Sequence, residues 1–130
     1  TKGNRHSHVV LRGGRAPNYD RATVEACAKT LRAAGLRPKV MVDCSHGNSG
    51  KDPNRQPAVF AACMRQASRR GSSLMGMMVE SNLHEGSQAI PKRKSPLRHL
   101  AYGVSVTDAC LGWEATERMV LAAYGRGAKG

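Results

Sequence analysis

Leu74-Met75-Gly76-Met77-Met78-Val79-Glu80 is a short, nearly continuous apolar run that ends on a carboxylate, and its reading decides the fold. Such a run suits a strand buried on both faces of a sheet. Two other stretches share the pattern: His8-Val9-Val10-Leu11 runs into Arg12, and Val40-Met41-Val42 is followed shortly by His46. The interval from Arg12 to His46, and again from His46 to Glu80, is 34 residues. A strand, a helix and two connecting loops occupy that much chain, so the period predicts repeated parallel βα units. In such sheets ligands bind at the carboxyl ends of the strands. A guanidinium, an imidazole and a carboxylate are therefore expected on one rim.

The segments between the runs agree with an α/β fold. Pro17-Asn18 and Asp20 are start signals for a helix whose inner positions are Val24, Cys27, Ala28, Leu31 and Ala34, with Gly35 as its stop. Strands are expected at His8 to Leu11, Lys39 to Asp43 and Ser73 to Val79, and Cys44 to Lys51 is expected to be a loop dense in donors. Pro57 suits the first turn of a second helix, where its missing N–H costs little. That helix offers Val59, Phe60, Cys63 and Ala67 inward and is expected to end at Arg69-Arg70-Gly71. From Ser81 to Leu111 the pattern loosens, and the basic run Lys92-Arg93-Lys94 reads as a solvated loop. A last helix is expected from near Trp113, carrying Met119, Val120 and Ala123, with Gly125 to Gly130 as a frayed tail.

Composition narrows the function. The 130 residues are about one domain's worth of chain. Three βα units are too few to close a barrel, and residue 1 is Thr, so the chain is read as a piece of a larger protein. Lys and Arg number 21 against 9 Asp and Glu, a net charge of +12, which points to phosphorylated metabolites or nucleic acid as partners. With one Phe, one Trp and three Tyr there is little for base stacking, and the basic residues are dispersed. A small basic nucleic-acid-binding α/β domain is thus the alternative reading, and not the leading one. Cys27, Cys44, Cys63 and Cys110 show neither CxxC pairing nor compact disulfide spacing and read as reduced, buried thiols of a cytoplasmic protein. No run is long enough to span a membrane.

His46, Glu80 and Asp108 form a mixed nitrogen and oxygen set suited to a catalytic divalent ion such as Mn, Fe, Co or Zn. On spacing alone the alternative stands: a loop histidine, a strand terminus and a helix cap. Arg12, between a strand and Gly13-Gly14, suits bidentate capture of a phosphate or carboxylate, or is a solvated loop arginine. Lys51 and Arg55 carry the same two readings. Asp43 is either an acceptor that orients the His46 loop or a strand-end cap.

Several segments in order resemble the class I 3-deoxy-D-arabino-heptulosonate 7-phosphate (DAHP) synthase family. They are Gly3-Asn4-Arg5, Val9 to Gly14, Pro17-Asn18-Tyr19, Val42 to Ser49, Met78 to Leu83 with Glu85-Gly86, and Tyr102-Gly103 with Ser105 to Cys110. The resemblance implies metal-dependent, aldol-type condensation of phosphoenolpyruvate with erythrose 4-phosphate to give DAHP and phosphate, the first step of the shikimate pathway. It implies a TIM-type (β/α)8 barrel of which residues 1–130 are the C-terminal three βα units, incomplete alone and inactive without the N-terminal half of the same barrel. It also implies a homo-oligomeric full enzyme. By the family's motifs His46, Glu80 and Asp108 are metal ligands, with His46 at the reacting centre and in contact with substrate, and Arg12 binds phosphoenolpyruvate. The family's fourth ligand is a cysteine in the N-terminal half, and none of the four cysteines here lies in the corresponding motif.

Overall fold

The computed structural model describes residues 2–4, 6–91 and 99–127. Three parallel strands, β1 (Val9–Leu11), β2 (Val40–Asp43) and β3 (Leu74–Met78), lie in the order β1-β2-β3. Helix α1 (Arg21–Ala33) follows β1. A single turn, α2 (His46–Ser49), a 3-10 turn (Pro53–Arg55) and α3 (Gln56–Ala67) follow β2, and α4 (Trp113–Gly127) lies beyond β3. The α/β class and the parallel sheet expected from the three apolar runs are both present.

Local chemistry explains where the helices begin and end. Asp20 caps α1: its carboxylate accepts from the Thr23 N–H at 2.9 Å and from the Thr23 hydroxyl at 2.6 Å. Those two bonds, the hydroxyl first, hold the Asp20 carboxyl below its ordinary pKa. Val24 and Ala28 are the buried residues of α1, with Cys27 and Leu31 half-buried beside them. Ala34, expected on the inner face, is instead the exposed C-cap, because the helix ends one residue before it. Gly35 then turns the chain at φ +69°.

One face of the sheet is covered and the other is open. Val40, Val42 and Leu74 join Val24 and Ala28 of α1, Val59 and Cys63 of α3, and Cys44 in one buried cluster. Each large aliphatic side chain removed from water there contributes about 1.5–3 kcal/mol. Side chains alternate along a strand, and a register shift between Leu74 and Gly76 in the pairing with β2 resets the alternation in β3, so that Leu74 and Met77 face the core while Met75 and Met78, like Val10 in β1, face the other way. Val10 is 38% exposed, Met75 50% and Met78 44%. The expectation that β3 is buried on both faces therefore fails for this chain: the helices cover only one side of it.

Other boundaries differ from expectation. The stretch Cys44 to Lys51 is not all loop, because α2 closes one helical turn between an extended Ser45 and a left-handed Gly50 at φ +65°. Helix α3 stops at Ala67, two residues before Arg69, and the chain reverses through Gly71 at φ +77°. Helix α4 continues past Gly125 to Gly127, so a frayed tail does not start at Gly125; residues 128–130 and the Lys92-Arg93-Lys94 run lie outside the described residues. Between β3 and α4, isolated bridges join Ser81 to Leu111, Gly86 to Cys110 and Ser87 to Ser105, so the return segment is laid alongside the end of β3. The four cysteines are free thiols, three of them buried and Cys27 half-buried. Among the described residues no helix is long and apolar enough to cross a membrane.

Asp20→Ala removes both bonds to Thr23 and is expected to lower stability by about 1 kcal/mol in urea denaturation. Because the folded carboxyl titrates below its unfolded value, this contribution is complete above the ordinary aspartate pKa and is lost as pH falls through the depressed one. The difference between wild type and Asp20→Ala should therefore shrink in acid.

Candidate metal centre

The carboxyl ends of the strands carry the site, and a buried amide assembles them. Asn48, 1% exposed, donates from Nδ2 to the Leu11 carbonyl at 3.0 Å and to the Asp43 carbonyl at 2.8 Å, and its Oδ1 accepts from the Asn18 N–H at 2.7 Å. The ends of β1 and β2 and the loop leading to α1 are thereby tied to α2. Asn18 passes the connection on, its Oδ1 accepting from the Gly13 N–H at 2.8 Å. Gly13 and Gly47 then touch through their backbones: a Cβ on Gly13 would lie 2.5 Å from the Gly47 carbonyl carbon, and Gly13 itself has φ +77°. The Gly47 N–H donates to the Arg12 carbonyl at 3.1 Å.

His46 enters this frame with a positive φ of 48°, a strained setting for a residue with a side chain. Asp43 holds it there. The Asp43 carboxylate, 6% exposed, accepts a hydrogen bond from His46 Nδ1 at 2.8 Å through Oδ2 and one from the Ser45 N–H at 2.9 Å through Oδ1. Both readings of Asp43, as orienting acceptor and as strand-end cap, describe what it does. With Nδ1 committed as a donor to a carboxylate, the neutral imidazole presents its lone pair at Nε2.

That lone pair faces two carboxylates. His46 Nε2 lies 3.4 Å from Glu80 Oε1 and 3.3 Å from Asp108 Oδ2. The ligand atoms of the three residues all fall within 4.8 Å of one another. Glu80 is fixed by the Ser45 hydroxyl, which donates to Oε2 at 2.7 Å, and by backbone bonds to Gln56. Asp108 is more open, at 57% side-chain exposure, and lies too far before Trp113 to cap α4. An imidazole that presents its Nε2 lone pair to two carboxylate oxygens forms a set of three converging acceptors, which a cation among them would draw together. The donor set of one imidazole and two carboxylates fits a divalent transition ion, and the His46 to Asp43 bond is the kind of outer support such ligands receive. In a chain with only 9 acidic residues, Asp43, Glu80 and Asp108 collect around one histidine.

The other candidates are distributed unevenly. Lys51 lines the same small cavity as Ser45, His46, Glu80, Asp108 and Ala109. Arg12 stands on the same rim through its carbonyl, with an exposed side chain that makes no ion pair among the described residues. Arg55 reaches back to Gly50 and does not line the His46 cavity. Cys44 and Cys63 point into the core, where the mutual hydrogen bond and then burial push the Cys44 thiol well above its ordinary pKa. Neither joins the His46 cluster. Sequence reading gave no individual role to Ser45, Asn48 or Gln56, although Ser45 and Asn48 fall in the Val42 to Ser49 segment that carries the family resemblance.

The family model described as the DAHP synthetase I family matches residues 1–121. The chain is 52% identical over 120 residues to the Tyr-sensitive phospho-2-dehydro-3-deoxyheptonate aldolase of Salmonella typhimurium, covering 92% of this chain and 33% of that protein. It is 46% identical over 121 residues to the tyrosine-inhibited enzyme of the same name from Schizosaccharomyces pombe, covering 92% and 32%. The solved phospho-2-dehydro-3-deoxyheptonate aldolase of Francisella tularensis superposes with a TM-score of 0.83 at 43% identity, over 95% of this chain and 35% of that one. The chain spans about a third of the length of these relatives. None of them is named for nucleic-acid binding, and the alternative reading as a basic nucleic-acid domain finds no support.

Two substitutions test the frame. Gly13→Ala combines a strained φ with a collision against the Gly47 backbone, and is expected to cost about 1–3 kcal/mol in denaturation experiments. Asp43→Ala frees the His46 ring and should weaken Mn²⁺ binding by about 10–100-fold in calorimetric titration.

Proposed function

Because this chain belongs to the DAHP synthetase I family, we propose that it is the C-terminal part of a single TIM-type barrel whose activity is 3-deoxy-7-phosphoheptulonate synthesis. The enol carbon of phosphoenolpyruvate adds to the aldehyde of erythrose 4-phosphate, water is consumed and phosphate is released. The observation that carries this reading is the convergence of His46, Glu80 and Asp108 within a chain matched by the family over residues 1–121. The open sheet face supports the barrel: Val10, Met75 and Met78 are apolar, partly exposed and opposite the helices, as the inward face of a barrel sector would be. Among the described residues β1 and β3 are the edge strands of the sheet, which further strands of a barrel would pair.

In this reading His46, Glu80 and Asp108 hold a divalent ion, one of Mn, Fe, Co or Zn, with a further ligand supplied from the rest of the barrel. The ion supplies Lewis acidity for a carbonyl or phosphoryl oxygen. Asp43 keeps the His46 ring in the tautomer that presents Nε2, and Ser45 keeps one Glu80 oxygen satisfied so that the other remains aimed at the centre. Arg12 grips the phosphoenolpyruvate anion from the end of β1, and Lys51 adds a cation at the mouth of the cavity. Holding both anions on one rim reduces the entropic cost of their encounter. The remaining substrate contacts belong to the N-terminal half, and the complete enzyme is a cytoplasmic homo-oligomer.

Phosphate release from phosphoenolpyruvate that depends on erythrose 4-phosphate checks this directly. Complete protein containing this chain should turn over with Mn²⁺, lose activity in chelator and lose it again with His46→Ala, whereas the isolated 130 residues should be silent. Chelator-resistant turnover by complete protein would remove the metal from the proposal.

A further inference from the structure

We infer that Gln56 is a positioning residue for Glu80, holding a segment of backbone that the sheet itself leaves without a partner. The inference rests on the reading of His46, Glu80 and Asp108 as a metal centre. The β2–β3 ladder ends with Asp43 opposite Met78 and a last bond from the Cys44 N–H to the Met78 carbonyl at 2.9 Å. Beyond that point β2 turns into α2, so the chain at Val79 and Glu80 runs on with no strand on that side. The Glu80 N–H would be an unpaired donor in a partly buried place.

Gln56 takes over the role of the missing strand. It is the first residue of α3 and is completely buried, with 0% exposure, the largest side chain so enclosed among the described residues. An enclosed carboxamide is costly unless both ends are bonded. Here both ends go to one residue: Oε1 accepts from the Glu80 N–H at 2.9 Å, and Nε2 donates to the Glu80 carbonyl at 3.1 Å. This donor and acceptor pair reproduces what a neighbouring strand would offer. The other side of Glu80 is held by the Leu111 N–H, which donates to the same carbonyl at 3.0 Å. The backbone of Glu80 is thus fixed on both sides, and its carboxylate can reach His46 Nε2 and the Ser45 hydroxyl without its own main chain moving. Both side-chain hydrogen bonds of Gln56 go to the Glu80 main chain, and Gln56 does not line the His46 cavity, so its effect is on where Glu80 stands. The same bond joins the start of α3 to the rim, which also makes helix packing a determinant of ligand spacing.

Complete protein stripped of metal would be titrated with Mn²⁺ by calorimetry in wild type, Gln56→Met, Gln66→Met and His46→Ala forms. Gln66 is the control: it also bonds a distant carbonyl, that of Tyr19 at 2.8 Å, but neither lines the His46 cavity nor holds the Glu80 backbone. Gln56→Met keeps length and volume and removes both bonds. Expected are a 10–100-fold weaker Mn²⁺ affinity for Gln56→Met, unchanged affinity for Gln66→Met whatever its melting temperature, and loss of the site in His46→Ala. Wild-type affinity retained by Gln56→Met, with His46→Ala silent, would overturn the positioning role while leaving the metal centre standing. Full binding by His46→Ala would instead overturn the metal centre, and this inference with it. Should Gln56→Met not fold, hydrogen exchange in the wild type decides: the Glu80 amide should exchange as slowly as the amides of β3, and exchange at the rate of an unprotected peptide would show that the clamp is not made.

Discussion

The three hydrogen bonds of Asn48 are the constraint on which the rest of the site depends. Parallel strands end in carbonyls that their own ladder no longer satisfies, and two of these, on Leu11 and Asp43, face each other at the top of β1 and β2. One buried carboxamide answers both and takes a third bond from Asn18. Because it sits in α2, that single helical turn is anchored between two strands, and the residue that opens the turn, His46, is delivered to the rim. The strain of a positive φ at His46 is tolerable because Asp43, Asn48 and the Gly13 to Gly47 contact leave the turn nowhere else to go.

A second layer of the same logic governs the carboxylates. Glu80 lies past the end of the β2–β3 ladder, and its main chain is paired by a glutamine side chain and by a returning segment instead of a strand. Its side chain is then oriented by Ser45, whose backbone is in turn held by Asp43. Asp43, Ser45, His46 and Glu80 form one connected network in which every polar contact points toward or away from the same small space. Asp108 is the loosest member, exposed and held from a long return loop.

Much of this was legible in the sequence, and the exceptions have physical causes. The apolar runs before Arg12, His46 and Glu80 marked three strands, and Asp20 with Gly35 bracketed α1, because hydrophobic period and capping are local properties. The chemical identity of His46, Glu80 and Asp108 picked them out before any geometry, and Asp43 beside them. The turn α2 was not legible, since it closes only through positive φ at His46 and Gly50 and a tertiary anchor. The roles of Asn48 and Gln56 were not legible for a related reason: their partners lie 37 and 24 residues away, and nothing in an Asn or Gln announces a distant backbone. The two-sided burial expected for β3 is a property of a complete sheet, and this chain supplies helices to only one face of it.

Anomalous diffraction at the manganese edge, from crystals of the complete protein grown with Mn²⁺, tests the central claim most directly. The account predicts a single strong peak at the carboxyl end of the sheet, within bonding distance of His46 Nε2, Glu80 and Asp108, with the His46 Nδ1 to Asp43 bond intact. A peak bound elsewhere, or no peak while these three side chains keep their present positions, would contradict it.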